Sequence, residues 1–290
     1  MEKIKVLSAP DVAIYADAEV GEGPVFDRRT GRFLWLDIAR GIVFENQLAS
    51  GMQTQIDLDT CIGAVAPRAV QNGFAAAASD GFGLIVDGTL TVVDPVLPEV
   101  HRRMNDGKVD SHGRMWAGSM HTELQPGAGA LHRWDGRERS TIVATGFTLP
   151  NGLGWNADDT VMYFVDSRAH SLLAAPYRAD EGEVGGFRTI ATIDSGLPDG
   201  LAVDVDGFVW VAVWGGGEVR RYDCDGRFVA TVPMPVSQPS SCAFGDDGTL
   251  YITSARSGLS DGDLSDQPLA GSVFALATGT SGVPVAPFAA

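Results

Sequence analysis

Six times along the chain a small or polar residue is followed by one or two small residues, an apolar strand, an Asp/Gly turn and a second, aromatic strand. The copies are EGPVFDRRTGRFLWLD, IGAVAPRAVQNGFAAA, NDGKVDSHGRMWAG, NGLGWNADDTVMYFVD, DGLAVDVDGFVWVAV and SSCAFGDDGTLYITS. They begin at Glu22, Ile62, Asn105, Asn151, Asp199 and Ser240, 40 to 48 residues apart. That period is the one of four-stranded propeller blades, about 40–50 residues, and six copies fill the 290 residues. The runs FLWLDI, MWAGSM, VMYFVDS, FVWVAVW and LYITSA are rich in β-branched and aromatic residues and bounded by Gly, Asp and Asn, whereas long stretches of helical period are hard to find. The expected fold is all-β, a six-bladed β-propeller forming one domain over residues 1–290. One hairpin per blade leaves the outer strands to segments such as IVFENQ, LLAAPYR and VRRYDCDG. The early segment VAIYADA is expected to pair with the last blade, because closure protects strand edges.

The turns VDSHGR, NADDT, VDVDG, DCDGR and GDDG carry the Asp, Asn and Gly that tight hairpins need at positive φ. DVDG and DCDG open like calcium loops, but their flanks read as strands and no glutamate stands at the twelfth position, so they are read as turns. A net charge of −16 excludes a phosphate-backbone ligand, which needs a Lys/Arg surface. No run reaches the roughly 18 apolar residues of a membrane span, and the first residues lack the apolar core of a signal peptide. A cytoplasmic protein, monomeric or weakly self-associating, is expected. Cys61, Cys224 and Cys242 show no CxxC spacing and are expected to be reduced thiols.

In a propeller the first strand of every blade lines the central channel, so one register position of all six copies converges on the axis. That position holds Glu22, Ile62, Asn105, Asn151, Asp199 and Ser240. Two carboxylates facing each other across a dry channel repel, and either their pKa values rise or a cation sits between them. A central metal-binding channel is the economical expectation. Glu, Asp and Asn offer hard oxygen ligands, suited to Ca²⁺, Mg²⁺ or Mn²⁺ and open to Zn²⁺ or Fe²⁺ with waters in the shell. The bland alternative makes Asn-Gly and Asp-Gly turn formers and Glu22 a surface acid; their coincidence at one repeat phase argues against it.

At these residues the sequence resembles the family of gluconolactonase, regucalcin and luciferin-regenerating enzyme. The resemblance spans nearly the whole chain and rests on GEGPVFD at 21–27, RMNDGKVDSHGRMWAGSM at 103–120, LPNGLGW at 149–155, LPDGLAVDVDG at 197–207 and QPSSCAFG followed by LYITSAR at 250–256. It implies one divalent metal ion on Glu22, Asn151 and Asp199, with Asp199 also a general base. It further implies that Arg103, Asn105 and Glu123 contact a sugar, with Asn105 able to reach the metal through water. The stretch MHTELQPGAGALHR departs from the more acidic regucalcin-like pattern, which weakens Glu123 and brings in His121 as a substrate contact. The tail SARSGLSDGDLSDQPLAGSVFAL is similar to that of bacterial sugar lactonases.

The implied activity is metal-dependent hydrolysis of a sugar lactone to the aldonic acid. A lactone is an activated ester, so an electrophile on its carbonyl oxygen and a base for the attacking water suffice. Arg103 and Asn105 would orient the hydroxyls. No G-x-S-x-G is expected on a strand-to-helix turn, so a serine nucleophile is not read here. Rival readings are a calcium-binding regulator without catalytic duty, a scaffold for partner proteins, and a phosphoesterase on the same fold, since fold alone does not select a substrate.

Overall fold

Each repeat folds as the inner hairpin of one antiparallel blade. The computed structural model describes residues 4–97, 101–137 and 139–290, arranged in six sheets. The inner strands, in blade order, are Gly21–Asp27, Ile62–Pro67, Arg102–Val109, Pro150–Trp155, Leu197–Val203 and Pro239–Phe244. They touch one another in cyclic order, the sixth returning to the first, so the all-β six-bladed propeller is the observed fold. Only 3% of the described structure is helical. Among the described residues no helix is long and apolar enough to cross a membrane.

The weaker segments take the third position of their blades, as Ile42–Gln47, Ser171–Arg178 and Glu218–Tyr222. The ring closes through the N-terminal Asp11–Ile14, which pairs antiparallel with Val273–Ala277 as the outermost strand of blade six. Lys5–Val6 adds a parallel edge strand to blade five. The tail was not foreseen. Residues 282–290 cross one face of the propeller, with Val283 N–H donating to Val203 O at 2.9 Å and Phe288 N–H to Pro67 O at 2.8 Å. Phe288 is fully buried and stacks on Trp134, with ring centroids 4.9 Å apart.

The Asp-rich turns act as turns. Asp110 accepts from the backbone N–H of His112 and Arg114 through Oδ1, and from the Trp116 indole N–H at 2.8 Å through Oδ2. Asp204 repeats the pattern with Asp206, Phe208 and the Trp210 indole at 2.9 Å. One carboxylate thus closes a turn and satisfies the polar atom of a large core side chain, whose burial contributes about 1.5–3 kcal/mol. The three cysteines are unpaired.

Blade three also buries His132, whose Nε2 meets Ser119 Oγ at 2.9 Å while Nδ1 finds no partner. Burial pushes its pKa down to about 4, with Arg102 adding to the effect and Asp94 opposing it. A histidine held neutral in the fold but free to protonate when unfolded gives stability that is complete above the ordinary histidine pKa. That stability falls as pH drops toward the folded value. Between pH 7 and 4.5 it should cost about 2–3 kcal/mol. Urea midpoints at the two pH values, in wild type and His132→Gln, check this. The variant should lose that part of the pH slope, and an unchanged slope would clear His132 of the role.

Candidate functional site

All six inner strands break register at the same place. The irregularities fall between Glu22/Val25, Ile62/Ala64, Met104/Gly107, Pro150/Leu153, Pro198/Leu201 and Pro239/Ser241. Each gives the inner strand one residue more than its partner, a β-bulge, the device that re-aims side chains beside functional sites. The phase residues therefore sit in strand bulges rather than turns. Gly63, Gly152 and Gly200, which follow three of them, serve close approach between blades: a Cβ on Gly152 would stand 2.6 Å from Asp199 O.

At one end of the axis the bulges open into a cavity of about 400 Å³. Glu22, Asn105, Asn151 and Asp199 line it, together with Arg103 and Asp106. Two phase positions do not take part. Ile62 is packed in the hydrophobic core of the first two blades, and Ser240 is buried with its hydroxyl on Gly21 O and Thr253 Oγ1. Asp106, which the repeat phase did not single out, shares its bulge with Asn105, so both unpaired residues reach the channel. The acid inside NDGKVD is the signal that could have identified it.

The polar side chains hold each other in place. Arg103 Nη1 donates to Asn105 Oδ1 at 2.8 Å and to Met104 O at 2.9 Å, and Asn105 Nδ2 donates to Pro150 O at 2.8 Å. Asn151 Nδ2 donates to Ser167 Oγ at 3.1 Å, and its Oδ1 accepts nothing from the described residues. Glu22 Oε2 accepts from Gly23 N–H at 2.8 Å, whereas the Asp199 carboxylate accepts no hydrogen bond from the described residues.

Burial first, and then the charges of Asp199 and Asp106, push the Glu22 pKa well above the usual carboxylate range. Asp199 is raised likewise, by burial and then by Asp106. Burial lifts Asp106 to about 6 against the pull of Lys108. Three carboxylates that each disfavour the others' ionisation are what a cation would relieve. Among the described residues no trio of His, Cys, Asp and Glu is grouped as a metal shell, so any shell here needs the Asn151 amide oxygen and solvent.

His121 and Glu123 lie outside the cavity lining, which takes Thr122 and Leu124 from the same segment. Glu123 is exposed and donates its N–H to His121 Nδ1 at 3.1 Å, and the His121 ring stacks on His101 with centroids 5.8 Å apart.

Comparison with known proteins agrees with this architecture. Residues 20–256 match the SMP-30/gluconolactonase/LRE-like region. Regucalcin of Danio rerio is 33% identical over 98% of both chains. A 6-deoxy-6-sulfogluconolactonase of Pseudomonas putida is 34% identical over 88% of this chain and 90% of its own. The crystal structure of a calcium-binding regucalcin from Agrobacterium tumefaciens superposes with a TM-score of 0.91 at 30% identity, covering 99% of each chain. With six bulged inner strands, a polar cavity on their axis and these relatives along its length, the chain belongs to the SMP-30/gluconolactonase/LRE-like family.

Proposed function

We propose that the protein hydrolyses a sugar lactone to the aldonic acid, using a divalent metal ion held by Glu22, Asn151 and Asp199 and a proton acceptor at Asp199. One observation carries this reading. Buried oxygen atoms from three blades face a single cavity, and the Asn151 amide oxygen and Asp199 carboxylate accept no hydrogen bond from the described residues. Such hard donors fit a divalent cation. When bound, the ion supplies Lewis-acid polarisation of the lactone carbonyl.

The chain's own residues do the rest. Asp199, buried and without a competing donor, takes the proton of the attacking water. Arg103 spends Nη1 on Asn105 and Met104, which fixes the plane of its guanidinium and leaves Nε and Nη2 for substrate hydroxyls. Asn105 holds that plane through its bond to Pro150 O. His121 and Glu123 touch only the part of a substrate that extends past the rim. The sugar-lactone class is supported by the Pseudomonas putida relative, a gluconolactonase by name.

The test is a panel of five- and six-carbon aldonolactones assayed with metal-stripped protein and with Mn²⁺, Zn²⁺, Mg²⁺, Ca²⁺ or Fe²⁺ restored in turn. Chelation should abolish turnover and leave the circular dichroism spectrum intact, because the six sheets make the core without the ion. Turnover that survives chelation would refute metal dependence. The name of the Agrobacterium relative favours a second reading, a calcium-binding protein without catalysis. Calcium binding with no turnover on any lactone would select it.

A further inference from the structure

The axis holds a second cavity, at the end away from Glu22, Asn151 and Asp199. It measures about 250 Å³, and its walls are mostly apolar, among them Val25, Trp155, Val203, Ala243 and Phe244. The tail that crosses this face contributes Val283, Pro284 and Val285. An apolar cavity of about 150 Å³ accommodates a benzene ring, so this one has room for a ring with a short chain.

Five side chains in the lining can carry charge or donate hydrogen bonds: Arg28, Lys108, Ser111, Trp155 and Asp159. Arg28 is spent on Asp246 Oδ1 at 2.9 Å and Gly282 O at 3.3 Å. Lys108 is not. Its Nζ donates to Leu201 O at 2.8 Å, and among the described residues no carboxylate stands within ion-pair distance of it. An ammonium has three donors, and one of them is used. Burial holds the Lys108 pKa below the usual lysine range, against Asp106 two residues earlier on the same strand, Cys242 and Glu22. Trp155 also lines this cavity, and its buried indole N–H meets no acceptor among the described residues. An ammonium with two unused donors in an apolar cavity favours an anionic partner, because burial of an unpaired cation is costly.

We propose that this cavity binds a small monocarboxylate with an apolar body, its carboxylate on the Lys108 ammonium and its body against Val203, Ala243 and Phe244. The site is separate from the metal-facing cavity, and its occupancy does not depend on the lactonase reading.

Calorimetric titration of the purified chain with 3-phenylpropanoate and with its neutral amide, 3-phenylpropanamide, tests it. The acid should bind once per chain and at least about tenfold more tightly than the amide, the value of a charge-assisted hydrogen bond. Lys108→Met should bring the acid down to the affinity of the amide. Ala243→Phe fills the apolar end and should weaken both ligands at least about tenfold. Equal affinity of acid and amide for the wild type, or no heat from either, overturns the assignment. So does acid binding that Ala243→Phe leaves unchanged, since the carboxylate would then sit at the metal-facing end. Should Lys108→Met fail to fold, the comparison of acid with amide and the Ala243→Phe variant decide the matter.

Discussion

Asp199→Asn is expected to lower turnover at saturating metal by at least roughly 100-fold, the lower range for loss of a general base. The substitution keeps size and one ligand oxygen while removing the charge and the basic lone pair. Metal affinity should therefore weaken, and turnover should fall further than affinity explains. Thermal melts carry a second and opposite signature. In the metal-free protein Asp199 is buried without a hydrogen-bond donor and is repelled by Asp106, and its ionisation destabilises Glu22 in turn. Replacing it with a neutral amide relieves that repulsion, so the chelated variant should melt no lower than chelated wild type. The stabilisation gained on adding metal should shrink, because a weaker ligand gives less linkage. Ser240→Ala is the control at the same register. Its hydroxyl bonds Gly21 O and Thr253 Oγ1 and does not reach the cavity, so it should cost about 1 kcal/mol of stability and leave kcat per folded molecule intact. Full activity of Asp199→Asn at saturating metal would reduce Asp199 to a ligand at most.

The period of the repeat was enough to derive the six blades, because an antiparallel blade needs its hairpin residues at fixed intervals and the chain supplies them throughout. The closing strand was legible for the same reason: Asp11–Ile14 is an apolar alternation with no partner inside its own repeat. In the cavity, Glu22, Asn105, Asn151 and Asp199 were legible from the repeat phase and Arg103 from the family resemblance. Ile62 shows the limit, since an apolar residue at that phase gains more in the core between blades one and two than on a polar axis. Asp106 was missed because a strict two-residue alternation puts neighbours on opposite faces, and only a bulge lets Asn105 and Asp106 share one. His121 and Glu123 depend on how the segment after the second strand of blade three turns, with Leu124 at φ 55°, and no periodicity encodes that. The tail over residues 282–290 is held by isolated backbone bonds and one buried ring, which leave no pattern in sequence.

The bulges also make a prediction at a blade that offers no side chain to the cavity lined by Glu22 and Asp199. Gly63 lies in the bulge of blade two, and a Cβ there would stand 2.3 Å from Asn105 O, 2.8 Å from its carbonyl carbon and 2.9 Å from its Cα. All three are backbone atoms, so no rotamer change relieves the clash, and blade three must move. Overpacking of this kind costs about 1–3 kcal/mol, which for a chain of this size lowers Tm by several degrees. The effect on activity should be larger than the effect on stability. Asn105 is the residue pushed, and it positions Arg103 Nη1 and is anchored to Pro150 O, next to Asn151. A displacement of about 1 Å in such a constellation can cost on the order of 100-fold in rate. Gly63→Ala is therefore expected to remain folded, to melt several degrees lower and to lose kcat/KM by about 10- to 100-fold on the best lactone. Gly186→Ala, where an added Cβ meets nothing within 4 Å, should change neither quantity. Should Gly63→Ala lose Tm and keep kcat/KM, blade three would be yielding without disturbing Asn105. The close approach of inner strands would then be a feature of packing alone.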